Sequence, residues 1–267
     1  MIDFTSVRDK VAIVTGGASG IGRAISKLYC DNGMKIVVAD INEVLGIEVV
    51  NEIQATGNEA VFFRTDVTSE TDVKALVNFA IETYGTLDGI VNNAGIGMGG
   101  APVHELTIDD FEKISNINLK SVFLGTKYGV EAILKSKASA GFIINIASNA
   151  GLMPQTGLNL YSTTKHGVIG LTKSSALDYA SHNITVNAIC PGYTRTEIFG
   201  DAPINLLERY IEGCPSGRMG KPEEIAYLSL FLASELARYV NGAIIPVDGG
   251  MAAGLKAPIR WKNTELL

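Results

Sequence analysis

The sequence predicts a doubly wound α/β fold: a seven-stranded, mostly parallel sheet with helices on both faces. Three observations carry that prediction. Short apolar, β-branched runs alternate along the chain with longer segments of helical period, the pattern of a parallel sheet buried on both sides. A glycine-rich turn stands between the first such run and the first helical segment. The composition, 46% hydrophobic against 19% charged over 267 residues, is ample for one large core and unlike that of a disordered chain. No internal repeat, low-complexity tract or linker divides it, so residues 1–267 read as a single domain.

In chain order, strands are expected at 10–15, 35–40, 60–65, 87–92, 141–147, 184–190 and 243–247. Helices are expected at 20–32, 43–56, 69–84, 107–136, 160–181 and 222–233. Pro246 lacks an N–H for the strand ladder, so the last strand belongs at a sheet edge. Residues 193–215 are the longest stretch without a sheet pattern, and long loops in compact domains are often functional.

The first strand (KVAIVT, 10–15) runs directly into Gly16-Gly17-Ala18-Ser19-Gly20-Ile21-Gly22, and a helical pattern follows. Strand, glycine turn and helix are the setting of a dinucleotide-binding loop. Glycine permits the turn and lets backbone N–H groups approach a pyrophosphate, which then sits on the positive end of the helix. The spacing is Gly-x-x-x-Gly-x-Gly, not the commoner Gly-x-Gly-x-x-Gly. Asp40 ends the second strand, 18 residues after Gly22. A carboxylate there accepts hydrogen bonds from both adenosine ribose hydroxyls and repels a 2′-phosphate, which argues for NAD over NADP. The competing role for Asp40 is an N-cap of the helix starting near Asn42.

Ser148 follows the apolar run 142–147, Tyr161 comes 13 residues later, and Lys165 four after that. If residues 161–165 are helical, the i,i+4 relation puts phenol and ammonium on one face. A cation about 4 Å from the phenol, at an effective dielectric of about 20, favours phenolate by about 4 kcal/mol. That is roughly three pK units, enough to bring a tyrosine from about 10 towards 7, where a general acid/base works best; desolvation opposes the shift. The result is a proton-transfer apparatus without metal, histidine or cysteine.

With these motifs in place, the chain resembles the short-chain dehydrogenase/reductase family, in its single-domain, NAD-preferring alcohol/ketone branch. The matching residues are Thr15-Gly16-x-x-x-Gly20-x-Gly22, Asp66-Val67, Asn92-Asn93-Ala94-Gly95, Asn118, Ser148, Tyr161-x-x-x-Lys165, Pro191-Gly192-x-x-x-Thr196 and Asp248-Gly249-Gly250, in the family's order over about residues 8–251. The family's enoyl-reductase and epimerase branches use other tyrosine–lysine or glycine spacings.

The resemblance implies a Rossmann fold and a set of roles. Gly16, Ser19, Gly20, Ile21 and Gly22 would hold the pyrophosphate, Asp40 the adenosine ribose, and Asp66 with Val67 the adenine. Asn93, Ala94 and Gly95 would line the adenosine–pyrophosphate side, with Asn93 also bracing the sheet. For Asp66 and the Asn92-Asn93 pair the plainer alternative is turn chemistry after a strand. Pro191, Gly192, Thr194 and Thr196 would fix the nicotinamide carboxamide. Tyr161 would exchange a proton with the substrate oxygen, and Ser148 would donate to that oxygen. Lys165 would lower the Tyr161 pKa and bind the nicotinamide ribose, and Asn118 would hold a relay water. The family's substrate lid falls at about 193–215. Its homotetramer is built on helices that correspond here to 107–136 and 160–181. The extension 252–267, with Trp261, would reach a neighbouring subunit's pocket or fray.

Other classes are disfavoured. Net charge −6 without a basic stripe argues against nucleic acid. No apolar run approaches the roughly 18 residues of a membrane span, and the start MIDFTSVRDK lacks an apolar signal stretch, so a cytoplasmic protein is expected. The three cysteines, Cys30, Cys190 and Cys214, are odd in number and far apart, which suggests reduced thiols, with Cys190 a buried filler. The histidines form no ligand cluster, so no catalytic metal is expected.

The residues expected around the substrate, Met98, Met153, Gln155, Tyr193 and 197–214, are mainly apolar, and Arg195 and Arg209 are expected to face solvent. The expected substrate is a neutral, fairly hydrophobic secondary alcohol or its ketone, cyclic or hydroxysteroid-like. The alternatives are a 3-oxoacyl-thioester (acyl-carrier-protein) reductase and, from another class, a non-catalytic nucleotide-sensing or scaffold protein.

Overall fold

The apolar runs form β1 (Val11–Thr15), β2 (Lys35–Asp40), β3 (Ala60–Arg64), β4 (Gly89–Asn92), β5 (Gly141–Ile146), β6 (Ile184–Pro191) and β7 (Ile244–Val247). This computed structural model describes residues 4–97, 100–136, 140–196 and 204–254. The strands lie in the order β3-β2-β1-β4-β5-β6-β7, and all six pairings are parallel. The order reverses between β1 and β4, which opens a crevice at the strands' C-terminal ends. β7 is an edge strand, with Pro246 opposite Cys190.

Along the central strands both alternating faces are apolar because both are buried. Ala12 and Val14 of β1 pack with Ile25 and Tyr29 of α1 (Gly20–Asp31), Val49 of α2 (Glu43–Ala55) and Leu230 of α8 (Pro222–Ala233). Val11 and Ile13 pack with Leu76 of α3 (Glu70–Tyr84), Leu124 of α5 (Ser121–Lys135) and Ala176 of α6 (Asn159–Tyr179). Fully burying each large aliphatic side chain contributes about 1.5–3 kcal/mol, so the two layers pin the sheet from opposite sides.

Local chemistry sets the helix starts. Asn42 caps α2 by accepting from Leu45 N at 3.1 Å, and Ser69 caps α3 by accepting from Asp72 N at 3.2 Å. Thr107 and Asp110 form a capping box at α4 (Ile108–Ser115). Asn42, rather than Asp40, is therefore the α2 cap.

Two regions differ from expectation. The single helix expected at 107–136 is α4 and α5 joined by a π-helical turn, Asn116–Lys120. The stretch 193–215, which has no sheet pattern, contains α7 (Ile204–Gly213), while 197–203 lies outside the described residues. Met98, Trp261 and most of the extension, 255–267, also lie outside them. Ile108 and Phe111 of α4, Phe123 of α5 and Leu177 of α6 are apolar yet exposed. Among the described residues no helix is long and apolar enough to cross a membrane.

Candidate active site

The crevice holds a cavity of about 600 Å³, lined from the glycine turn at one side to Tyr161, Lys165 and Thr196 at the other. Its first wall is the β1–α1 turn. Gly16 adopts φ +61°, and a Cβ there would meet Ala94 Cα at 2.9 Å and Asn93 Nδ2 at 3.0 Å. Gly22 does not line the cavity; a Cβ on it would lie 2.0 Å from the Gly16 carbonyl oxygen, so its bareness lets α1 close on the turn. Ser19 is the N-cap residue of α1 without a side-chain cap bond. Ser19, Gly20 and Ile21 line the cavity, leaving the helix start facing it.

β4 ties this turn to the sheet. Asn93 Nδ2 donates to Thr15 O at 2.9 Å and to Gly16 O at 3.1 Å. The Thr15 hydroxyl accepts from Asn93 N at 3.0 Å and Ala94 N at 3.1 Å. Asp40 lines the cavity from the tip of β2, its two oxygens held by Ala18 N at 3.1 Å and Asn42 N at 3.0 Å. Asp66 and Val67 line it after β3. One Asp66 oxygen accepts from Thr68 N at 2.9 Å and Thr68 Oγ1 at 2.8 Å, so turn chemistry and cavity lining coexist there. Bare backbone beside a helix start, a carboxylate at the β2 tip and a cleft of this size fit a nicotinamide dinucleotide.

The far wall comes from β5, β6 and α6. Ser148 ends the β5 segment and caps the 3-10 turn Asn149–Gly151, accepting from Ala150 N at 3.1 Å. Its hydroxyl donates to Asn149 Oδ1 at 3.4 Å, and Asn149 Nδ2 donates to Met251 Sδ at 3.5 Å. Tyr161 and Lys165 stand one turn apart on α6, with Lys165 Nζ 5.7 Å from the Tyr161 ring centre. Pro191, Gly192, Thr194 and Thr196 line the cavity after β6, with Thr194 Oγ1 donating to Gly192 O at 3.1 Å.

The electrostatics differ from the expectation for Tyr161. Its phenol is raised, not lowered: burial dominates, and the Ser148 hydroxyl pulls back only in part. Lys165 is almost fully buried, and desolvation pushes its ammonium down to about 8. Nζ donates to Ile146 O at 2.9 Å, so the cation anchors to the end of β5. Cys190 is buried, and burial pushes its thiol up to about 11, in keeping with a filler. Cys30, Cys190 and Cys214 are buried thiols, none of them in a disulfide.

Asn118, expected among the catalytic residues, is fully buried and does not line the cavity. It lies in the π-helical turn, accepting from Ile96 N at 2.8 Å and donating to Ile96 O at 2.9 Å. A Cβ on Gly95 would sit 3.3 Å from Asn118 Oδ1 and 3.6 Å from Lys165 Nζ, which places Asn118 behind the wall next to the ammonium. Gln155 and Tyr193 line the cavity as expected, whereas Met153 does not, and Arg195 and Arg209 are exposed. Lining residues missed from the sequence include Ile41, Ile96, Ile117, Asn149 and Leu158. Ile41, Ile96, Ile117 and Asn149 each stand next to a motif residue, Asp40, Gly95, Asn118 and Ser148, which was a positional signal, whereas Leu158 carried none.

A family model described as enoyl-(acyl carrier protein) reductase matches residues 16–252. The cis-4-hydroxycyclohexanecarboxylate dehydrogenase of Sinomonas cyclohexanicum is 39% identical over 92% of this chain and 97% of its own. The cyclohexanol dehydrogenase of Acinetobacter sp. (strain SE19) is 40% identical over 90% of this chain and 94% of its own. The crystal structure of levodione reductase superposes with a TM-score of 0.88 at 33% identity, covering 93% of this chain and 99% of that one. The two dehydrogenases match at near full length and are named for cyclohexane-ring alcohols, levodione reductase shares the fold, and dehydrogenases of this kind typically employ a nicotinamide cofactor. The chain belongs to the short-chain dehydrogenase/reductase family and is an oxidoreductase acting on CH–OH groups.

Proposed function

We propose that the protein is an NAD-dependent dehydrogenase interconverting a neutral cyclic secondary alcohol and its ketone. The observation that carries this reading is one cavity lined by the glycine turn, Asp40, Ser148, Tyr161 and Lys165 together. Gly16, Ser19, Gly20 and Ile21 hold the pyrophosphate at the start of α1, with Gly22 packing behind them. Asp40 binds the adenosine ribose, Asp66 and Val67 the adenine. Asn93, Ala94 and Gly95 form the wall between, and Pro191, Gly192, Thr194 and Thr196 hold the carboxamide. When bound, the dinucleotide supplies the hydride acceptor for alcohol oxidation.

Ser148 orients the substrate oxygen by hydrogen bonding. Tyr161, as its phenolate, takes the hydroxyl proton as the carbon gives up hydride to the dinucleotide, so the neighbouring cation and the bound dinucleotide must offset the burial that raises this phenol. Lys165, still an ammonium below its value of about 8, stabilises charge on the phenol and binds the nicotinamide ribose. Asn118 acts by positioning: its two bonds to Ile96 hold the wall next to Lys165. A single-ring substrate is favoured over a hydroxysteroid because the relatives named above act on single rings. A homotetramer on the exposed apolar faces of α4, α5 and α6 is the assembly we favour.

The test is the appearance of reduced nicotinamide absorbance with NAD or NADP and a panel of alcohols. Turnover of cyclohexanols with NAD is expected. Activity confined to 3-oxoacyl thioesters with NADPH would move the protein to the reductase reading, and inactivity on every substrate would favour the nucleotide-sensing one.

A further inference from the structure

Two polar side chains of the cavity lining are hydrogen-bonded to each other. Tyr193 Oη donates to Gln155 Oε1 at 3.0 Å, and both residues line the cavity. Tyr193 directly follows Pro191-Gly192, while Gln155 comes from the segment between the 3-10 turn Asn149–Gly151 and α6. The phenol ring is fixed from outside by Tyr210 of α7, ring centres 4.7 Å apart and planes at 68°. Ile96, Ile117, Ala150 and Leu158 supply apolar surface in the same cavity.

The bond between them uses the one proton of the phenol and one acceptor site of the amide. The amide N–H groups and the phenol lone pairs remain as chemistry for a ligand. A plain cyclohexane ring would cover these groups without satisfying them, and an unpaired buried polar group is costly. A ring with a second oxygen would satisfy them.

We infer that Gln155 and Tyr193 form a second recognition point, and that the substrate is a ring alcohol bearing a second, neutral oxygen group, a diol or hydroxyketone. This rests on the dehydrogenase reading of the same site. Neutrality follows from charge. Lys165 is the only cation among the lining residues, and it belongs to the reacting centre. A carboxylate as the second group finds no cation here. Burial raises the Tyr193 phenol, so it stays a neutral donor at working pH.

The experiment measures kcat/KM with NAD for cyclohexanol, cis-cyclohexane-1,4-diol and cis-4-hydroxycyclohexanecarboxylate, in the full chain and in Tyr193→Phe and Gln155→Leu. The full chain should prefer the diol to cyclohexanol by about tenfold, and each variant should erase most of that ratio. The hydroxy acid should be the poorest of the three. Equal rates for diol and cyclohexanol, a parallel fall for both in the variants, or the hydroxy acid as best substrate would overturn the inference. A parallel fall would mark the pair as a latch for α7 instead. Titration calorimetry of cyclohexane-1,4-dione against cyclohexanone, on protein mixed with oxidised NAD, which has no hydride to give either ketone, separates this from the activity itself. If no alcohol is oxidised, the dehydrogenase reading fails, and calorimetry decides the pair alone. Tighter dione binding that is lost in both variants upholds it, and equal binding sinks it.

Discussion

Around the glycine turn the cavity wall is main chain: Gly16, Gly20 and Ala94 present backbone, and the strongest side-chain contributor, Asn93, faces inward to brace Thr15 and Gly16. Around Tyr161 the wall is side chain: Ser148, Asn149, Gln155, Lys165 and Tyr193, of which Asn149, Lys165 and the Gln155–Tyr193 pair are held by contacts between different elements. A main-chain wall recognises a shape that hardly varies, such as a pyrophosphate, and tolerates no added atoms. A side-chain wall carries the titrating groups and the choice of substrate. The first therefore fails by steric insult and the second by loss of chemistry, and substitutions at each should separate the two.

The largest effect is expected from the chemical wall. Tyr161→Phe should lower kcat by about 10²–10⁴-fold, the usual contribution of general acid–base catalysis, with the dinucleotide Kd nearly unchanged. A variant retaining a third of the rate would remove Tyr161 from the proton path. If the loss lay in Kd instead, the two walls would not be separable functions.

Next comes Lys165→Met, read as stability rather than activity. The folded chain holds the Lys165 ammonium at about 8, against about 10.4 for a free lysine. Below pH 8 the group is protonated folded and unfolded, and burying the charge costs up to about 3 kcal/mol. Between about 8 and 10.4 the unfolded chain binds more protons, so the parent gains stability as pH rises. Lys165→Met should raise the urea midpoint at pH 7, and its advantage should shrink as pH approaches 10.4. A variant less stable than the parent at pH 7 would mean that the bond to Ile146 O outweighs the desolvation cost.

The main-chain wall is probed by Gly22→Ala. A Cβ 2.0 Å from a carbonyl oxygen cannot be absorbed by a rotamer change, so α1 or the turn must shift. Such overpacking costs about 1–3 kcal/mol. Dinucleotide affinity should fall while kcat at saturating cofactor stays near the parent value, the reverse of Tyr161→Phe. An unshifted Kd would show that the turn flexes more freely than its packing implies.

The same contrast governs what can be read from residues alone. The glycine turn, Asp40 and the Ser148, Tyr161, Lys165 spacing are legible because each depends on local order along one strand, turn or helix. The seven strands are legible for the same reason, their β-branched runs ending within one or two residues of the observed limits. The π-helical turn is not, because it is bound up with a contact between Asn118 and Ile96, 22 residues apart. Leu158, Ile117 and Asn149 reach the cavity through tertiary packing, and nothing in their identity sets them apart from core or turn residues. The raised Tyr161 phenol was misjudged because an i,i+4 spacing reports proximity to a cation but not the burial that opposes it. α7 is hard to read for another reason: Leu207, Tyr210 and Ile211 carry a helical period over only about one turn, too short to stand out from a loop.

Asp40 is the exception to the contrast, a side chain at the main-chain end, and it gives the smallest and sharpest test. Its carboxylate has two roles that spacing alone cannot separate. On the proposed reading it repels a 2′-phosphate by charge, and in the structure it accepts from Ala18 N and Asn42 N, tying the glycine turn to the start of α2. Asp40→Asn removes the charge but keeps one oxygen acceptor, whereas Asp40→Ala removes both. The NAD/NADP ratio of kcat/KM should therefore fall in both variants to a similar degree. Stability should fall by about 1 kcal/mol in Asp40→Ala and by less in Asp40→Asn, as measured by urea unfolding. If Asp40→Asn kept the parent's cofactor ratio, discrimination would come from the shape of the turn, and even this side chain would be acting as part of the main-chain wall.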